Sequence, residues 1–182
     1  MSDLLPEPGT ILELIERDHR LVSRMLTTFD TTARHDWGAA FSDVARYFVR
    51  HELAEQAVVY PLLSEARATS RSLYADCQAE ESSCLSQLVE MEPLSPLSEE
   101  FASAIVSWRE SVDAHLAHEN MVVMPRLRDL YDRDLRQCAS RYELARTVSP
   151  ERPEAAAEAA TSTRHESFAG FIDAIRTRLG PG

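Results

Sequence analysis

Apolar residues recur every three or four positions along four long stretches of the chain, the spacing of one face of an α-helix. The first stretch opens at Thr10, with Glu13 three residues on in a capping-box arrangement, and its stripe is Ile11, Ile15, Val22, Leu26 and Phe29. After a loop around residues 33–36 the second carries Phe41, Val44, Phe48, Val58 and Leu62. The third, from about Ser70 to Met91, carries Leu73, Cys77, Cys84 and Leu88. A turn with two prolines, residues 93–98, precedes the fourth, with Phe101, Ile105, Trp108, Val112 and Val122. Four amphipathic helices joined by short loops predict an all-α protein, an antiparallel up-down-up-down four-helix bundle over residues 1–145. Beyond it, Ser149-Pro150-Glu151-Arg152-Pro153 reads as a linker. Phe168, Phe171, Ile172, Ile175 and Leu179 read as a short extra C-terminal helix that docks on the bundle or on a partner.

Each stripe is interrupted by ionisable residues: His19 in the first, His51 and Glu55 in the second, Glu80 or Glu81 in the third, His115 and Glu119 in the fourth. An unpaired carboxylate or imidazole costs several kcal/mol to bury, so such groups are normally paired or bound to metal. His51 and Glu55 are four apart, as are His115 and Glu119, which puts each pair on one helix face and within reach of one centre. The two segments also repeat each other. HELAEQAVVYP matches HLAHENMVVMP with His, Glu, the double Val and Pro in register (51 to 115, 55 to 119, 61 to 125). In the expected topology the second and fourth helices are parallel, so repeated positions fall at similar heights. The first loop is centred midway between His19 and His51, and reflection through the loop near Ala68 carries residues 51–55 to about residues 81–85. The four interruptions therefore share one layer.

Composition narrows the function classes. Glycine is scarce, at five residues, and the formal charge is −11, which sets the surface against nucleic acid and anionic membranes and leaves small molecules or proteins as partners. All nineteen basic residues are arginine, so Schiff-base chemistry and a P-loop lysine are excluded. The start, MSDLLPEPGT, lacks the features of a signal peptide, no apolar run reaches the length of a membrane span, and a cytoplasmic protein is expected. Cys77 and Cys84 lie about 10 Å apart along one helix, too far for a disulfide, and read as small buried hydrophobes.

Asp18-His19, then His51-Glu52-x-x-Glu55 with Tyr60-Pro61, then His115-x-x-x-Glu119 with Met124-Pro125, resemble the hemerythrin-like HHE cation-binding family over roughly residues 10–140. The resemblance implies two iron ions, with His19, His51 and His115 as terminal ligands and Glu55 and Glu119 as bridges. It also marks a departure. The third-helix histidine of the family is absent, and Glu80-Glu81 stands in its place, with Glu81 the favoured oxygen ligand over Glu80 or water. A carboxylate there adds negative charge and favours ferric iron, so the expected chemistry is redox handling of oxygen, peroxide or nitric oxide with a reductant or protein partner still to be named. The alternative is an oxygen- or iron-sensing module without turnover. Of ferritin-type Glu-x-x-His motifs only Glu16-x-x-His19 matches, and five or six clustered ligands exceed one tetrahedral zinc site. Tyr47 reads as a core tyrosine that could line the site. Glu52 reads as exposed or as a group behind a ligand, His118 as behind Glu119 or on the surface, and His35 and His165 as solvated. Pro61 and Pro125 are expected to kink their helices.

Overall fold

The computed structural model describes residues 9–66, 70–129, 132–149, 176, 177 and 179, and all its regular elements are helical. Helix α1 (Ile11–Thr27) starts as its capping box requires, with the Thr10 backbone N–H donating to the Glu13 carboxylate at 2.7 Å. Two 3₁₀ turns, Thr28–Asp30 and Arg34–Asp36, lead to α2 (Trp37–Ala54). The second predicted helix then changes pitch. Glu55–Val59 is a π-helical turn, and α3 (Tyr60–Ala66) resumes the α form. Pro61 supplies a reason, because it has no N–H to return to the Ala57 carbonyl and its ring crowds that oxygen. One residue more per turn rotates the faces of α3, and Leu63, not the expected Leu62, is the buried one.

Helix α4 (Ser70–Met91) falls on the predicted boundaries, and α5 (Glu99–Arg128) starts directly after the predicted turn. Ser98 caps α5 by accepting the Phe101 N–H at 3.1 Å, and Pro125 lies in the final turns of α5. The four long segments pack as the expected bundle. One end of its core is aromatic: Phe41 meets Phe101 and Trp108 edge-on, and Phe48 meets Trp108 at 5.7 Å between ring centres. The Trp108 indole N–H donates to the Cys84 carbonyl, 3.2 Å away. Cys77, Cys84 and Cys138 are buried and form no disulfide, and burial pushes the Cys77 and Cys84 thiols up to about 12, which keeps them unreactive. The side chain of Leu73 lies outside the described residues.

A fifth helix, α6 (Asp132–Val148), adds to the four that the apolar stripes predict. Its buried residues Leu135, Cys138, Ala139, Tyr142 and Ala145 have helical spacing and pack against α1, α2 and the π turn. With α6 laid over it, the middle of the second segment is enclosed all round: every residue from His51 to Tyr60 is buried. Most of the expected C-terminal helix, His165 included, lies outside the described residues. Of that stretch, Arg176 donates to the Gln56 carbonyl at 3.1 Å and Leu179 packs on the core, so these residues touch the bundle. No helix among the described residues is long and apolar enough to cross a membrane.

Candidate metal centre

One buried polar layer crosses the bundle. α1 places His19 in it, α2 His51 and Glu52, the π turn Glu55 and Gln56, α4 Glu81, and α5 His115 and Glu119. One nitrogen or oxygen from each of His19, His51, Glu55 and Glu119 lies within 4.8 Å of the others. His19 Nε2 is 3.3 Å from Glu119 Oε2 and 4.0 Å from Glu55 Oε1, and His51 Nε2 is 3.8 Å from Glu55 Oε2. His115 continues the layer on the far side of Glu119, its Nε2 3.6 Å from Glu119 Oε2 and 3.2 Å from Glu52 Oε2. Glu81 is buried on that side and takes the Gln56 amide on Oε1, while Tyr60 donates to Glu119 Oε1 at 2.8 Å.

The three imidazoles are oriented alike. Nδ1 of His19 meets Asn120 Oδ1 at 3.1 Å, Nδ1 of His51 meets the Tyr142 hydroxyl at 2.6 Å, and Nδ1 of His115 meets Glu80 Oε2 at 3.4 Å. In a neutral ring, an oxygen behind Nδ1 favours the proton there and turns the Nε2 lone pair to the carboxylates, which is how metal-binding histidines are held.

The electrostatics are those of a cluster short of positive charge. Burial pushes Glu52 up, and pushes Glu55 and Glu81 well above the usual carboxylate range, with neighbouring carboxylates adding to the shift in each. Burial, then the nearby His19, brings His51 down to about 3. For His115 burial acts downward too, but the charges of Glu52 and Glu119 outweigh it and raise the ring to about 11. Burial opposes ionisation of Glu119, yet His115 and His19 outweigh it and hold this carboxylate low. Several inward atoms have no hydrogen-bond partner: His19 Nε2, His51 Nε2, Glu52 Oε1, both Glu55 oxygens, Glu81 Oε2 and Glu119 Oε2. Imidazole nitrogen and carboxylate oxygen suit a divalent or trivalent first-row cation, so the donor set fits a metal.

Of the six sequence-predicted site residues, His19, His51, Glu55 and Glu119 form the tight group, His115 joins it through Glu119, and Glu81 is buried in the same layer. Glu80 is 40% exposed at its side chain and receives His118 Nδ1 at 2.9 Å. The exposed reading of Glu52 is corrected: it is 0% exposed, because the chain from His51 to Tyr60 is buried throughout and the charge of His115 faces it. Tyr47 turns to Asp18, to which its hydroxyl donates at 2.7 Å. Gln56, Tyr60, Asn120 and Tyr142 join the layer without having been expected there. His51, Glu52, Glu55 and Gln56 share one side of an ideal helix, and that clustering could have drawn attention to Gln56.

The family model of the hemerythrin HHE cation binding domain matches residues 10–127, which hold every candidate ligand and stop short of α6. No curated protein and no solved structure matches the chain.

Proposed function

The chain belongs to the hemerythrin HHE cation-binding domain family, and on that premise we propose that it holds two iron ions and uses them for redox chemistry on oxygen, peroxide or nitric oxide. The observation that carries the proposal is the convergence of three Nε2 atoms, each with its Nδ1 backed by oxygen, on four buried carboxylates, Glu52, Glu55, Glu81 and Glu119. Four negative charges in a buried layer match the positive charge of two divalent cations. His19, His51, Glu55 and Glu119 would hold one ion. His115, Glu52 and Glu81 would hold the other, with Glu119 between the two.

Bound iron supplies one-electron chemistry with small oxidants. The chain supplies the setting. Carboxylates outnumber imidazoles around the ions and favour the higher oxidation state, which argues for turnover over reversible carriage. The aromatic end of the core keeps bulk water away from the layer. His19, 4% exposed and the least buried of the candidate ligands, borders a surface cleft lined by Arg20, Ser23 and Arg24, the natural approach for a small molecule.

A second reading, a sensor without turnover, draws on the bond from Arg176 to the Gln56 carbonyl, because Gln56 also holds Glu81 and so ties the C-terminal segment to the layer. Protein purified from iron-replete cells separates the two. Close to two irons per chain, with consumption of peroxide or nitric oxide when a reductant is present, supports the first. Iron without consumption of either supports the sensor, and no iron overturns both.

A further inference from the structure

Helix α6 lies beyond the matched family span, yet it brings a fully buried hydroxyl to the layer. The Tyr142 oxygen is 2.6 Å from His51 Nδ1 and 3.0 Å from Asp18 Oδ2. Asp18, also fully buried, accepts from Tyr47 at 2.7 Å and is ion-paired with Arg17 at 3.1 Å and with Arg146 at 3.2 Å. Since the Tyr142 O–H has the Asp18 carboxylate to donate to, its oxygen is left to accept the His51 Nδ1–H. The order is then carboxylate, tyrosine, imidazole, with His51 Nε2 at the inner end facing Glu55. The other two rings are backed differently, His19 by the neutral amide of Asn120 and His115 by the partly exposed Glu80.

We propose that Tyr142 and Asp18 are positioning residues that fix the ring plane and tautomer of His51 and strengthen its Nε2 as a donor. The inference rests on the metal-binding reading above and adds to it a part built outside the matched family span. Asp18 polarises the tyrosine O–H, the tyrosine oxygen becomes a better acceptor, and the imidazole shares its Nδ1 proton more fully and gives more electron density at Nε2. Tyr142→Phe keeps the ring in place and removes only the oxygen, which leaves His51 Nδ1 and Asp18 Oδ2 without each other's link.

The test uses the purified full chain as wild type, Tyr142→Phe, Asp18→Asn and Tyr47→Phe. Competition with a chelator for ferrous iron should show Tyr142→Phe weakened about ten- to a hundredfold, Asp18→Asn weakened in the same direction, and Tyr47→Phe within twofold of wild type. The midpoint potential of the iron-loaded protein should rise in Tyr142→Phe and Asp18→Asn, because a poorer donor stabilises ferric iron less. A packing role alone would leave potential and affinity unmoved in Tyr142→Phe, and that result overturns the relay. Ring-nitrogen NMR of the cation-free wild type reads the relay without any metal or variant. It should find His51 neutral, with a slowly exchanging proton on Nδ1, and a proton on Nε2 instead overturns the proposal even if Tyr142→Phe does not fold. Wild type that binds no iron but shows the Nδ1–H tautomer would overturn the metal reading and, with it, the relay's purpose.

Discussion

His115 and Glu52 stand 3.2 Å apart, Nε2 to Oε2, at the heart of the bundle. Each residue explains the other's state. Glu52 is buried beside a ring that supplies positive charge, and His115 holds its proton far above the ordinary value of 6.5 because Glu52 and Glu119 outweigh the effect of burial. In the cation-free protein this imidazolium occupies the role that a metal ion would take.

Cation binding should therefore be proton-coupled. With its value raised to about 11, His115 is protonated at neutral pH and must lose that proton before Nε2 can ligate. Affinity accordingly falls as pH drops and rises as pH climbs towards 11. Calorimetric titration of zinc or ferrous ion in buffers of differing ionisation enthalpy should register release of about one proton or more per chain at pH 7. Affinity that does not change between pH 6 and pH 8 would refute it.

Glu52→Gln keeps the shape and removes the charge. Its expected result is loss of the ion on the His115 side, about one iron per chain retained in place of two, and affinity for the second ion reduced about tenfold or more. Glu80→Gln, at a side chain 40% exposed, should keep both. Elemental analysis of the two variants side by side decides the matter, and equal iron in both would remove Glu52 from the ligand set.

Glu81→Ala should lower metal content more than Glu80→Ala, since Glu81 is fully buried with one oxygen unpartnered while Glu80 serves His118 near the surface. Glu81→His should slow oxidation of the reduced protein in air, because an imidazole brings less negative charge than a carboxylate. The rate of the absorbance change after exposure to oxygen measures it. A faster change in Glu81→His would count against the redox reading.

Metal should also stabilise the fold. Four buried carboxylates with unpartnered oxygens burden the cation-free state, and a ligand at a hundred times its Kd adds about 2.7 kcal/mol. For a chain of this size that raises Tm by about 5–10 °C. A chelator should reverse the shift, and identical melting curves with and without cation would mean that the native layer binds none.

The helix count and register of the bundle were legible because amphipathic stripes and caps are local: Thr10 with Glu13, Ser98 before α5, and the His-x3-Glu pairs all act within one turn or two. Reflection through the loop after the second segment leaves Glu80 and Glu81 both open; the preference for Glu81 comes from the family resemblance, and Glu81 is the one that is buried. What escaped depends on the third dimension. Glu52 lies about 100° from His51 on an ideal helix and reads as exposed or as a group behind a ligand, until the packing of α5 brings His115 to face it. The π turn lies in the bonding pattern of five residues, and only Pro61 hinted at it. Leu135, Cys138, Ala139, Tyr142 and Ala145 do carry helical spacing, but arginines and acids surround them, and the stripe is narrow.

The placing of α6 imposes an order on biosynthesis. The helices that carry the ligands leave the ribosome before the helix that covers them, so until residues 132–148 emerge the outer side of α2 is bare and the His51 ring lacks the tyrosine behind it. A nascent chain paused in that interval exposes apolar surface to chaperones and offers a passing cation an imidazole free to turn. The full setting of His51 is thereby completed only once α6 has emerged and packed.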